Sequence, residues 1–232
     1  GADNSVFNAA SNPPSMLFGQ GGVDDAEDSD VIIHEYTHGV MESISPNTNF
    51  GAERNALDEA FGDYMAASYS QKNNTWQNNW VYNWDGHNEF WNGRKVTSSA
   101  MYPVSLQNNL YKDAPIWSSA LMRIERNIGR DKTHILAINA GYNYSGGMTM
   151  AQAAQLILQQ DSILCDAENY GVICYTFLDK GLVSSCAVNR PANMVGVETI
   201  NQQNVRVLNS YNFANGMGDL EILANSDFKI LV

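Results

Sequence analysis

His34 and His38 stand four residues apart, with Glu35 beside the first. On a helix that spacing puts both imidazoles on one face, where they can offer two nitrogens to one ion. Glu35 then sits about 100° round the helix and reaches a water held by that ion. His34-Glu35-Tyr36-Thr37-His38 is therefore an HExxH pattern, whose chemistry is hydrolysis by an activated water with the Glu as general base. A catalytic zinc takes three protein ligands and keeps a fourth position open. A third ligand is thus expected from another element. Glu59 and Asp63 also stand four apart and share one helix face. Glu59 is read as the ligand. Asp63 is read as the acceptor for the far nitrogen of a ligating histidine, which fixes that ring's tautomer.

These residues need a helical frame. Val31-Ile32-Ile33 and Val40-Met41 give the first motif an apolar seat, and the acids at 24–30 precede it where a helix N-terminus favours negative charge. The pattern predicts helices over about 30–43, 55–71, 114–128, 133–140, 149–160 and 168–182. Val6-Phe7 and Met16-Leu17-Phe18 read as short N-terminal strands around a turn at Asn12-Pro13-Pro14. The aromatic stretch at 73–107 reads as loop and short strand. Beyond Pro191, strand-like runs at 195–199, 205–208, 220–223 and 228–232 alternate with Asn/Gly turns. The expectation is an α+β chain, mainly helical, with a catalytic domain at 1–190 and a β-rich C-terminal segment at 191–232.

Thirteen basic side chains face 25 acidic ones, a net charge of −12. That excess argues against nucleic acid and against an anionic membrane surface as partner. No apolar run approaches the roughly 18 residues of a membrane span. Few charges and many Asn, Gln, Ser and Tyr residues suggest a secreted or extracytoplasmic protein. The cysteines are Cys165, Cys174 and Cys186. With no CxxC pair, a thiolate zinc site is not expected. Either Cys165 and Cys174 close a short disulfide, the favoured reading, or all three are buried thiols.

The pairing of His34-Glu35-Tyr36-Thr37-His38 with Ala56-Leu57-Asp58-Glu59-Ala60-Phe61-Gly62-Asp63 resembles the gluzincin metallopeptidases, the thermolysin-like and fungalysin-like enzymes. The approach from Phe18 to Ile32 is most similar to bacterial fungalysin-like sequences. So are Met101-Tyr102-Pro103, Ile116-Trp117 and Phe177-Leu178-Asp179-Lys180-Gly181-Leu182. The resemblance spans roughly residues 3 to 183. It implies a zincin-type fold and a zinc endopeptidase acting on protein or peptide substrates, with His34, His38 and Glu59 as ligands and Glu35 as base. It places Asn4 and Ser5 on an edge strand that pairs with substrate backbone, and Arg94 near the substrate-gripping arginine. It also implies a propeptide or further domains outside this chain.

Two departures stand out. The oxyanion-stabilising Tyr of thermolysin-like enzymes would fall at Phe50, which has no hydroxyl, and the family's downstream His falls at Tyr111. Tyr111 and His87 are the rival oxyanion donors; His134 reads as structural. Calcium is weakly supported: Asp30 matches a calcium ligand, but Ser70 replaces its partnering Glu, and Asp24, Asp25, Glu27 and Asp28 read better as a solvated acidic loop. The missing oxyanion donors leave an adhesin or binding module with a weakened zinc site as one alternative. An aminopeptidase of the same clan is the other, and no motif for gripping an α-amine is visible.

Overall fold

The computed structural model describes residues 3–73 and 75–191. The tail strands expected at 195–232, and with them the C-terminal segment, lie outside the described residues. Within them the chain is mainly helical. Two small antiparallel pairs accompany six helices.

β1 (Val6–Asn8) and β2 (Ser15–Leu17) pair with Phe7 opposite Met16. A 3₁₀ turn at Asp25–Glu27 leads into α1 (Ser29–Ile44). Asp28 caps α1 by accepting from the Asp30 amide at 2.8 Å. That satisfies an orphan donor and places negative charge at the positive end of the helix. Asp25, Asp28 and Asp30 are buried, so the solvated acidic loop expected here is corrected: only Asp24 and Glu27 of this group are exposed. The buried three are held by hydrogen bonds instead. Asp28 accepts the Trp84 and Asp85 amides at 3.0 and 2.9 Å. Asp30 accepts the Tyr82 amide at 2.9 Å and the Ser70 hydroxyl. Ser70, which stands where the resemblance would put a calcium-partnering Glu, bonds Asp30 directly instead.

α2 (Ala52–Asn73) packs on α1 along one side and on α3 (Leu110–Ile128) along the other. Its small residues Ala56, Ala60, Ala66 and Ala67 are almost wholly buried and allow that close approach. α3 begins at Leu110, behind an Asn109 cap and four residues before the predicted start. The apolar rhythm is hidden there by Lys112, Asp113 and Pro115. α4 (Arg130–Gly141), α5 (Met150–Leu164) and α6 (Tyr170–Asp179) complete the bundle around Trp117, which stacks on Phe177 at 5.5 Å. α6 stops short of the predicted end because Gly181 turns with φ +76°, and a Cβ there would stand 2.1 Å from the Tyr102 carbonyl oxygen. β3 (Trp80–Val81) and β4 (Arg94–Lys95) form the second hairpin inside the aromatic stretch.

The disulfide joins Cys174 to Cys186, and Cys165 is free; this corrects the expected Cys165–Cys174 pair. Cys174 is buried on α6, where the segment leaving that helix folds back to it with Cα atoms 5.9 Å apart, within bridging range. Cys165 ends α5 instead.

Candidate metal centre

α1 and α2 bring four polar side chains to one point. His34 Nε2 and His38 Nε2 are 3.1 Å apart. The Glu59 carboxylate faces both, with Oε2 3.4 Å from His34 Nε2 and Oε1 3.6 Å from His38 Nε2. Glu35 brings a carboxylate oxygen to within 4.8 Å of the two imidazoles. Two nitrogens bound tetrahedrally at about 2.0–2.1 Å would be roughly 3.3 Å apart, so the donor spacing suits a zinc-sized ion.

Carboxylates stand beside the outer nitrogens as well. His34 Nδ1 lies 3.1 Å from Asp63 Oδ1, and His38 Nδ1 lies 2.5 Å from Asp58 Oδ2. Carboxylates behind both rings leave each Nε2 turned toward the common point. Asp63 falls where the sequence suggested; Asp58 was missed. One helix face was counted for Glu59 and Asp63, whereas Asp58 serves the second histidine from the next position round. Its signal was the Arg54–Asp58 spacing of four. The buried Arg54 holds Asp58 Oδ1 at 3.1 Å, and Asn49 donates to Oδ2 at 3.2 Å.

Gly62 is the other residue that sequence reasoning missed. A Cβ at this position would stand 2.5 Å from His34 Nδ1, so only glycine lets that ring lie against α2. This is a close approach of helix to ring, which periodicity does not report.

Electrostatics follow from burial among opposite charges. Burial opposes protonation of His34, yet Asp63 and Glu59 hold its pKa up at about 9. Burial would raise Asp63, but Arg94 and His34 hold it down at about 2. Burial raises Glu35 above the ordinary carboxylate value, against the lowering charges of the two histidines and a backbone hydrogen bond from Phe7. Such a shift makes Glu35 a better proton acceptor.

Around this point lies a cleft of about 1000 Å³. Asn4 and Ser5 line it, next to β1. Ser5 is already committed: its hydroxyl donates to Asp25 Oδ2 at 2.5 Å. Arg94 also lines the cleft, but its donors go to Asp63 Oδ1 at 3.0 and 2.8 Å and to the Tyr82 hydroxyl at 2.5 Å. It remains 3.6 Å from Glu59 Oε2. Tyr111 lines the cleft, with Arg94 5.2 Å from its ring centre. Burial and the Glu59 charge raise its pKa, which keeps the hydroxyl protonated and able to donate.

Three residues stand elsewhere. His87 stacks on Trp80 at 4.0 Å, and its Nε2 lies 3.0 Å from the carbonyls of both Val81 and Arg94. It does not line the cleft, so its place as an oxyanion donor is corrected to a brace of the β3–β4 hairpin. Phe50 rests on the Gly146–Gly147 turn, where its carbonyl accepts from Gly147 at 2.8 Å. It too is outside the cleft lining. His134 meets Ser68 Oγ at 2.9 Å and the edge of Tyr64, on α4. The chain matches no protein-family model and no curated protein.

Proposed function

We propose that this protein is a zinc-dependent endopeptidase. The observation that carries the reading is the convergence of His34 Nε2, His38 Nε2 and Glu59 within 3.1–3.6 Å, with Glu35 beside them in a solvent-open cleft. His34, His38 and Glu59 would hold the ion, while Asp63 and Asp58 orient the rings. A bound zinc supplies Lewis acidity toward a scissile carbonyl and toward water. Glu35 takes the proton of the attacking water and returns it to the leaving amine nitrogen. The Tyr111 hydroxyl, which lines the cleft, would donate to the developing oxyanion, since the Tyr82 hydroxyl donates to Asp63 at 2.8 Å. β1 pairs only with β2 among the described residues, and its outer edge suits addition of an extended peptide. The open cleft, the excess of acids and the composition are compatible with an extracytoplasmic enzyme.

The test is casein hydrolysis by the wild type and Glu35→Gln, with zinc measured in both. The expected result is one zinc per chain in each protein and a loss of about 10²–10⁴-fold in hydrolysis for the variant. Undiminished hydrolysis would overturn the role of Glu35. Absence of zinc from the wild type would overturn the metal centre. Comparing an N-blocked peptide with its free-amine form separates endopeptidase from aminopeptidase.

A further inference from the structure

A second cluster of carboxylates lies in the same cleft and takes no part in that chemistry. Asp3 precedes β1, Asp25 sits in the turn before α1, and Asp85 sits between β3 and β4. Each brings a carboxylate oxygen to within 4.8 Å of the others. All three line the cleft. Asp25 and Asp85 are only 4% and 5% exposed.

In both buried residues one oxygen is held and the other is orphaned. Asp25 Oδ2 accepts from Ser5 Oγ at 2.5 Å and from the Gly19 amide at 3.2 Å, while its Oδ1 is buried without a hydrogen-bond partner. Asp85 Oδ2 accepts from the Trp91 indole at 3.0 Å, and its Oδ1 is likewise buried and unpartnered. A buried oxygen left without a partner is destabilising, more so when it carries charge. Burial, followed by the charges of Asp25, Asp3 and Asp28, pushes the Asp85 pKa up to about 6. Asp28 itself is spent on backbone amides. The glycine loop is shaped to admit Asp3: a Cβ on Gly21 would stand 2.7 Å from the Asp3 Cβ.

We propose that Asp3, Asp25 and Asp85 form a site for a hard divalent cation of the calcium class, which ties the chain before β1 and the β3–β4 loop to the start of α1. The donors are all carboxylate oxygens, with no imidazole or thiolate, which selects hard cations over zinc. With one oxygen each of Asp25 and Asp85 already held, the three carboxylates give three or four of the six to eight oxygens calcium takes, and the open cleft admits water for the remainder. The site stands apart from the calcium position considered at Asp30, and it stands whether or not the protein cleaves peptides.

Tryptophan-sensitised terbium luminescence on the zinc-loaded chain tests it, because Trp91 is one hydrogen bond from Asp85. The expected result is saturable emission that calcium displaces, and a melting temperature raised by calcium. Asp85→Asn and the surface variant Asp3→Asn should each weaken terbium binding by about tenfold or more, while the exposed control Asp131→Asn leaves it unchanged. Asp3 is exposed, so its variant keeps the test sound if Asp85→Asn folds poorly. No saturable emission, equal binding by wild type and Asp3→Asn, or displacement by zinc but not calcium would each overturn the site. None of these readouts depends on hydrolysis.

Discussion

Two histidines four apart could be read as a metal pair from the sequence because helical periodicity puts them on one face. What periodicity could not report is how the rings are held. Asp58 and Gly62 do that work from α2, one by accepting at His38 Nδ1 and one by having no side chain where the His34 ring lies. Arg94 shows the limit from the other direction: loosely placed as a substrate contact, it spends its donors on Asp63 and Tyr82. Gly62→Ala should therefore do more than a mild helix-favouring change. The added methyl meets Nδ1 at 2.5 Å, so the ring must turn and carry Nε2 away from its partners. We expect about 1–3 kcal/mol of destabilisation from overpacking, together with zinc affinity lowered about 10–100-fold. Urea unfolding and competition with a chromogenic chelator measure the two effects; a variant that binds zinc like the wild type refutes the role given to Gly62.

The helices were legible as elements because all six carry an apolar rhythm long enough to count, whereas several of their ends were not, because ends are decided by caps and turns. α3 starts at Leu110 behind an Asn109 side-chain cap that apolar spacing cannot register. α6 ends at Asp179 because the chain must turn at Gly181 against the Tyr102 carbonyl. The aromatic stretch reads as loop and short strand, and its two short strands do pair; what had no sequence signature is the brace from His87 to two backbone carbonyls. Gly181→Ala puts a methyl at a positive φ and against backbone that cannot yield. It should cost roughly 1–3 kcal/mol, shifting the urea midpoint without changing the slope. An unchanged midpoint would mean that α6 can end without this turn.

For the molecule as a whole, the net charge of −12 says less than where the acids sit. Several are buried in two groups, one among histidines and arginines and one among themselves. The second group makes stability depend on pH with a definite sign. Asp85 is raised to about 6 in the folded chain, so the folded state binds its proton more tightly than the unfolded state. Without divalent cations, the Asp85 contribution to stability should rise as pH falls from 7 through 6 toward the ordinary carboxylate value near 4. Asp85→Asn should lack that gain, and melting curves at pH 7 and 5 with a chelator decide it. An equal gain in the variant assigns the effect to other groups. The cap of α1 has a consequence of another kind. Asp28 holds the amides of Asp30, Trp84 and Asp85, and Asp30 holds that of Tyr82. These four amides come from two stretches of chain more than fifty residues apart, yet none can open without loosening the same pair of carboxylates. In native-state hydrogen exchange they should behave as one cooperative unit with a common opening free energy. The motif helix and the hairpin that carries Arg94 would then loosen together.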